Sequence, residues 1–383
     1  MFSGFAEGLT YLGNSTYWIA FISAIAITVP IALIPGISAT LVMALAIPFI
    51  ITNVTDPVIG LAMLATLTGI DNTLDSIPAI LLGQPGGATQ VTFLEGNQLA
   101  QRGKAAHTLG AVYVVSAIGG VVGALMLAIL IPVIKPFVLQ FGFAEIAAMA
   151  MFGVAMVAAL AGGAMIKGVM AALIGIFFAT VGQDPILGME RYTFGIAYFN
   201  WNGIPLIATT IGLFALPEMI DLTMTRKPVA PPNSNVSYRE LFRGGRYGLS
   251  KWHIAIRQSL FGVFLGAVPG IGSGVVDWLS YAFGIFWTKD KSGFGKGSLD
   301  GVLFAESAQN SKEGGAAIPT LTLGVPGTGV WAIVLVALLT YGITPGPQMV
   351  DQYAHLTVVM VITLALGNVF LTTLGLISST YLA

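Results

Sequence analysis

The chain has 383 residues, of which 56% are hydrophobic and 9% charged, with a formal net charge of −1 and a mean hydropathy of +0.86. A soluble domain carries about 25% charged residues, so this composition is that of a polytopic membrane protein. The absence of cysteine excludes a disulfide framework, thiol catalysis and cysteine-ligated metal, and with no basic face there is no nucleic-acid partner.

Met1–Thr16 lacks the basic start of a secretory signal, so the first apolar run, Tyr17–Ile34, is expected to be retained. It breaks at Pro35-Gly36, and Ala39–Ile51 is its return arm. Pro57–Ile70 is the next apolar run. Asp71–Ser76 is a polar patch, followed by an apolar stub, Ile77–Gln84, and a second Pro-Gly break. Glu95, Arg102 and Lys104 then mark a short exposed connection. Ala105–Ile131, Phe143–Ala161 and Val169–Val181 read as spans. Gly182–Arg191 is a polar turn, and Glu145, Asp184, Glu190 and Arg191 near it are interfacial or paired. Asn200–Met219 reads as a further span.

Residues 221–252 form a hydrophilic linker between a first unit, residues 1–220, and a second, residues 253–383. Seven of the 16 Lys and Arg lie between Arg226 and Arg257, which places this linker on the cytoplasmic side. Ile254–Val268 and Val275–Trp287 form another broken pair, with Lys289, Lys291 and Lys296 beyond it. Gly297–Gly315 holds Glu306, Gln309, Asn310 and Ser311. A second apolar stub, Val330–Tyr341 and a last run from Leu356 complete the chain.

Two stretches repeat. Ile77–Ala88 reads I-P-A-I-L-L-G-Q-P-G-G-A and Ile318–Thr328 reads I-P-T-L-T-L-G-V-P-G-T, 241 positions apart. Upstream of each lies another Pro-Gly, at Pro35-Gly36-Ile37-Ser38 and Pro269-Gly270-Ile271-Gly272. Proline removes a backbone donor and glycine allows angles other residues avoid, so each pair ends a helix. Freed backbone groups are tolerated in a bilayer only inside protein or beside a water-filled cavity. An eight-residue stub is about 12 Å long at roughly 1.5 Å per residue, short of the ~30 Å hydrocarbon core. Each stub is therefore read as a half-helix ending at mid-depth. The fold class is an all-α polytopic membrane protein of two repeats, each with broken, re-entrant hairpins. The parity of spans leaves inverted and parallel repeats open; inverted ones are the commoner kind in transporters with broken helices.

These segments resemble the large permease subunit of tripartite tricarboxylate transporters, the TctA family. The resemblance lies in P-G-I-S at Pro35–Ser38, S-I-P-A-I-L-L-G-Q-P-G at Ser76–Gly86 and G-Q-D-P-I-L-G-M-E-R-Y-T-F-G at Gly182–Gly195. It continues through I-G-L-F-A-L-P-E at Ile211–Glu218, G-A-V-P-G-I-G at Gly266–Gly272, A-E-S-A-Q-N-S-K-E-G-G-A at Ala305–Ala316 and G-I-T-P-G-P at Gly342–Pro347. Two departures stand out. Leu74-Asp75 replaces a usual Gly-Gly pair, adding charge near the site. Glu95 replaces the Asp before Gly96. Family members also continue with more helices after the last element, so the chain is expected to be short at its C-terminus. The resemblance implies a secondary active importer in the bacterial cytoplasmic (inner) membrane. It also implies a periplasmic solute-binding protein that delivers a di- or tricarboxylate, a small TctB-like membrane subunit, and a Na⁺ or H⁺ gradient as driving force.

A carboxylate would find unpaired N–H groups and positive dipole ends after the breaks. The expected substrate contacts are Pro35, Gly36, Ser38, Pro85, Gly86, Gly87, Thr89, Gly270, Gly272, Ser273, Pro326, Gly327 and Thr328. Asn72, Asp75, Asp277, Glu306 and Asn310 are the ion-coupling candidates, with Na⁺ as a transported ion rather than a fixed cofactor. Intramembrane acids are functional hypotheses by default. Against this, a lone Pro-Gly marks a kink, Asp75 suits the positive end of a helix, and Asp277 suits a polar interface. A membrane enzyme is the rival class, but no H-E-x-x-H or G-x-S-x-G motif is present. A channel or scaffold has no need of a duplicated pair of broken helices.

Overall fold

The molecule places its most polar long helix at the centre and its apolar helices around it. The computed structural model describes residues 2–32, 39–140, 142, 144–145, 147–148, 151, 165–184, 189–196, 198–199, 203–205, 208–209, 211–224 and 237–382. The first half holds α1 (Phe2–Thr10), α2 (Ser15–Ala32), α3 (Ala39–Asn53), α4 (Pro57–Leu81), the single turn α5 (Gln90–Thr92) and α6 (Ala105–Val138). Two π-helical stretches, Phe93–Asn97 and Ala100–Lys104, join α5 to α6. Then come α7 (Met165–Thr180), an antiparallel pair of two-residue strands, β1 (Gly182–Gln183) and β2 (Glu190–Arg191), and α8 (Leu216–Met224). The second half holds α9 (Tyr238–Ser250), α10 (Trp252–Gly266), α11 (Ser273–Phe286), α12 (Leu299–Leu323), α13 (Gly329–Thr340), α14 (Pro347–Asp351) and α15 (Ala354–Leu382).

The two stubs are not separate half-helices. Ile77–Leu81 is the last part of α4, a helix of 25 residues, or about 37 Å at roughly 1.5 Å per residue. Ile318–Leu323 likewise ends α12, also of 25 residues. The polar patch Asp71–Ser76 lies inside α4, not before it. Asp56 starts α4, its Oδ1 accepting from Val58 N at 2.8 Å, with Pro57 in the first turn; this is a sound N-terminus. Ser298 caps α12 through Gly301 N at 3.3 Å, and Gly324, at φ 68°, ends it in the left-handed conformation. Pro78 and Pro319 sit so near the C-terminal ends that each removes one ladder bond and breaks nothing.

Among the described residues, three helical stretches are long and apolar enough to cross a membrane: 57–81, 100–138 and 354–377. The N-terminal stretch and α2, bent by 75°, pass that test as a pair. The helix α12 is as long as α4 but carries Glu306, Gln309, Asn310, Lys312 and Glu313, and every residue from Gly301 to Thr322 is buried. Its shield is α6 on one side and α10 and α11 on the other. Glycine makes that shield close. A Cβ on Gly123 would lie 2.6 Å from Ser311 O, and one on Gly315 would overlap the Val263 backbone of α10. Small residues that let backbones approach are the usual means of packing helices in lipid. Lipid-facing positions are apolar, as at Ile19, Phe49, Ile129, Phe264 and Phe286.

The second half of the expected linker is not free chain. It forms α9, whose Gly244, Gly245 and Gly248 pack on α6. The described residues of the Asn200–Met219 segment include a π-helical turn at Ile211–Ala215 leading into α8, and 152–161, inside the expected span Phe143–Ala161, lie outside the described residues.

Candidate functional site

Three of the four Pro-Gly breaks come together; Pro35, Gly36 and Ser38 lie outside the described residues. Gly270 N donates to Gly327 O at 3.3 Å, joining the breaks on either side of α11 and α12. A Cβ on Gly274 would lie 3.1 Å from Gly87 O, so the start of α11 meets the break of the first half. Gly83, Gly270 and Gly324 hold φ values of 67°, 81° and 68°, which glycine adopts without the Cβ penalty.

The amides at the breaks are partly spoken for. Gly86 N donates to Thr89 Oγ1 at 2.9 Å, and Gly327 N to Thr320 Oγ1 at 3.3 Å. Thr328 caps α13, its Oγ1 accepting from Trp331 N at 3.4 Å. Gly327 is packed: a Cβ there would lie 2.6 Å from Ala316 Cβ and 2.7 Å from Gly266 O. Gly86 lies against the Asp75 carboxylate, which a Cβ would overlap. Open space remains at Gly87, Gly272 and Gly329. Pro85 is exposed, while Pro326 and Ser273 are half-buried.

Beside the breaks runs a polar seam between α4 and α12. Glu306 is 1% exposed. Its Oε1 accepts from Ser76 Oγ at 2.6 Å and Thr92 Oγ1 at 2.5 Å, and its Oε2 from Ser116 Oγ at 3.3 Å. One turn on, Asn310 Oδ1 accepts from Thr73 Oγ1 at 2.9 Å, and its Nδ2 donates to Glu306 O at 3.0 Å. Next, Asn72 Nδ2 donates to Glu313 Oε1 at 3.0 Å, and Lys312 Nζ donates to Asn72 Oδ1 at 2.8 Å and Glu313 Oε1 at 2.6 Å. Trp331 Nε1 closes the set on Glu313 Oε2 at 2.9 Å. Side chains at i, i+3 and i+4 share a helix face, so Asn72, Thr73 and Ser76 line one flank of α4 and meet Glu306, Asn310 and Glu313 of α12.

Asp277 belongs to a neighbouring cluster. Its Oδ2 accepts from Val91 N, the amide of the turn after Pro85-Gly86, the first of the three described breaks, at 2.7 Å. Gln309 Nε2 donates to Ser273 O at 2.6 Å. Among the described residues, Asp277 Oδ1 and Gln309 Oε1 are buried without a hydrogen-bond partner. Unpaired buried oxygens cost free energy and are the natural ligands of a cation or proton. The structure thus brings Asn72, Glu306 and Asn310 into one seam, sets Asp277 against the first break, and puts Asp75 beside Gly86. Arg191 is paired with Asp184 at 2.8 Å, as its place in the polar turn implied.

Sequence reasoning missed Lys312, Glu313, Thr92, Ser116 and Trp331 as members of the seam. Adjacent opposite charges in the same stretch as Glu306 were the available signal for the first two. The hydroxyls of Thr92 and Ser116 carry no signal in one sequence. Glu95, read as exposed, is 0% exposed. It accepts from Gly295 N at 2.6 Å, from Gly297 N and Ser298 N at 2.7 Å each, and from the Tyr281 hydroxyl. An apolar cavity of about 280 Å³ lies elsewhere, between α2, α3 and α4, against Ala24, Leu41, Leu45, Phe49 and Met63.

The profile of the tripartite tricarboxylate transporter TctA family matches residues 18–383. The chain is 31% identical over 353 residues to the uncharacterized 52.8 kDa protein in the TAR-I ttuC' 3' region of Agrobacterium vitis, covering 90% of this chain and 68% of that one. It is 35% identical over 115 residues to an uncharacterized protein in the TAR-II ttuC' 3' region of the same organism, covering 30% of this chain and 48% of that one. No solved structure matches. With the family profile matched from residue 18 to the last residue, the chain belongs to the tripartite tricarboxylate transporter TctA family.

Proposed function

We propose that this chain is the permease subunit of a binding-protein-dependent secondary active transporter that imports di- or tricarboxylates on a Na⁺ or H⁺ gradient. A periplasmic solute-binding protein delivers the substrate and a small membrane subunit accompanies the permease in the bacterial cytoplasmic membrane. The observation that carries the reading is the seam. A helix shielded from lipid on all sides holds two acids, a base and two amides, and three chain breaks open beside it. Ionisable groups at membrane depth are expensive and mark ion and substrate pathways.

In this reading the carboxylate docks at the open backbone around Gly87, Gly272 and Gly329, where side chains are absent. Thr89, Ser273 and Thr328 flank it. Asp277 Oδ1 and Gln309 Oε1 receive the coupling cation or proton, and Glu306 with Asn310 and Asn72 relays its arrival to α4. The two repeats, related by inversion, alternate access around this point. No phosphate-binding loop of the G-x-x-x-x-G-K-[ST] type occurs in the sequence, in keeping with a gradient as the energy source.

The test is uptake of labelled citrate, succinate, malate and an aromatic dicarboxylate by cells expressing the chain, with and without the two partner subunits. Uptake that requires the binding protein and an imposed Na⁺ or pH gradient is the expected result. Uptake unaffected by both, or none from a well-inserted complex with every substrate, rejects the proposal.

A further inference from the structure

Lys312 is 0% exposed and lies well inside α12. Its ammonium has three protons, and each has an oxygen: Asn72 Oδ1 at 2.8 Å, Gln309 O at 3.1 Å and Glu313 Oε1 at 2.6 Å. A side-chain carbonyl, a backbone carbonyl and a carboxylate are the ligand types that hard cations take. The cage is otherwise complete. Glu313 also accepts from Asn72 Nδ2 at 3.0 Å and Trp331 Nε1 at 2.9 Å, which hold its two oxygens in place.

Stability does not account for this arrangement. A buried ion pair usually contributes no more than an apolar pair of the same volume, whereas loss of one partner leaves a costly lone charge. Position is more informative. Glu313 is the counterpart of Asn72 at the 241-residue spacing of the duplicated stretches, and these two counterparts touch. At the same spacing Lys312 is the counterpart of Asp71. The second half therefore carries a base where the first carries an acid. That base sits inside a cage of oxygens at the crossing of α4 and α12.

We propose that Lys312 is a tethered counter-ion: its ammonium permanently fills the cation position formed by Asn72, Gln309 and Glu313, so no mobile Na⁺ binds at this crossing. The inference rests on the ion-driven reading of the site and narrows it. A charge tied to the chain is never released to the far side, so it adds nothing to the number of ions moved per substrate. The mobile ion acts at the neighbouring oxygens, while Lys312 keeps Glu313 neutralised through the whole cycle.

Lys312→Ala empties the cage and leaves the Glu313 carboxylate in place. Lys312→Ala/Glu313→Gln empties it and removes the charge as well. Thermal unfolding of each purified protein, with the wild type, is followed in NaCl and in choline chloride of equal ionic strength. A ligand that binds only the folded state raises its unfolding temperature. Lys312→Ala is expected to unfold several degrees below wild type in choline chloride and to regain most of that loss, saturably, in NaCl. Wild type and the double variant show no such additional rise. The proposal is overturned if Lys312→Ala gains no more from NaCl than wild type does. It is also overturned if Lys312→Ala is lost from membranes of cells grown in Na⁺ medium while the double variant accumulates. Wild-type uptake separates the two levels: gradient-driven uptake beside a Na⁺-insensitive Lys312→Ala defeats only the tethered ion, whereas gradient-independent wild-type uptake defeats the transport reading itself.

Discussion

Glu95 accepts from the amides of Gly295, Gly297 and Ser298, so one carboxylate organises the turn that starts α12. It comes from the segment after the first break and thereby ties the two halves of the chain together. Removing it strands the amides of Gly297 and Ser298 and leaves Gly295 N only the Tyr281 hydroxyl at 3.0 Å, and hydrogen bonds to a charged group are worth about 1.5–3 kcal/mol each. Water can reach this edge, so Glu95→Ala is expected to cost about 3 kcal/mol of local stability, or roughly a hundredfold in the opening of this turn. Trypsin cleavage of the purified protein after Lys291 and Lys296 reads that opening, and an unchanged cleavage rate contradicts the assignment. Trp331 gives a second residue-scale test. Trp331→Phe keeps the ring and removes the N–H that meets Glu313 at 2.9 Å, so a loss of about 2 kcal/mol is expected in thermal unfolding. No loss means that the indole serves only as bulk. The sequence shows neither role. Glu95 lies beside Arg102 and Lys104 in a short polar stretch, and only its partners in a loop 200 residues away reveal it as buried.

The helix α12 is polar because its neighbours spare it from lipid, and they do so by approaching closely. Gly119 and Gly123 of α6, and Gly262 and Gly266 of α10, each leave no room for a Cβ against the α12 backbone. Adding bulk to such a contact costs about 1–3 kcal/mol. Gly123→Leu and Gly262→Leu are therefore expected to lower the unfolding temperature and the amount recovered from membranes. Gly293→Ala, which faces nothing within 4 Å, serves as the control and is expected to behave as wild type. Equal behaviour of all three variants contradicts the packing account. Gly327→Leu belongs with the damaging set, since the packed Ala316 and Gly266 leave it no space. It cannot serve as a clean probe of ligand contact, and Gly87→Ser at the open side of the first break is the better one. At this scale the sequence is right about element ends and wrong about continuity. The apolar runs starting at Tyr17, Ala39, Ile254 and Val275 match α2, α3, α10 and α11 to within a few residues. The stubs merge into α4 and α12 because a proline near a helix C-terminus removes a single bond. Polar residues such as Asp71 and Asn72 continue a helix readily when a partner helix satisfies them.

For the whole molecule, the two stretches that repeat in sequence each end a long helix. Helices of 25 residues precede the matching breaks in both halves, and the breaks gather beside the seam that joins those helices. The duplicated Pro-Gly elements, the membrane class and the family were legible in the chain because they depend on composition and on local backbone chemistry. The cage that joins Lys312 and Glu313 to Asn72 and Trp331 was not, since the contacts of a buried base are set by the helices packed around it. The account makes Glu306 central: three hydroxyls from α4, α5 and α6 converge on its carboxylate, so a change there reaches three elements at once. The direct test is accumulation of a labelled tricarboxylate in proteoliposomes holding the complete transporter under an imposed Na⁺ or pH gradient, comparing wild type with Glu306→Gln at equal insertion. The account predicts that wild type concentrates substrate above equilibrium only with a gradient, and that Glu306→Gln loses at least about tenfold of that rate, an effect of ~1.4 kcal/mol. Gradient-driven accumulation by Glu306→Gln at the wild-type rate would contradict it.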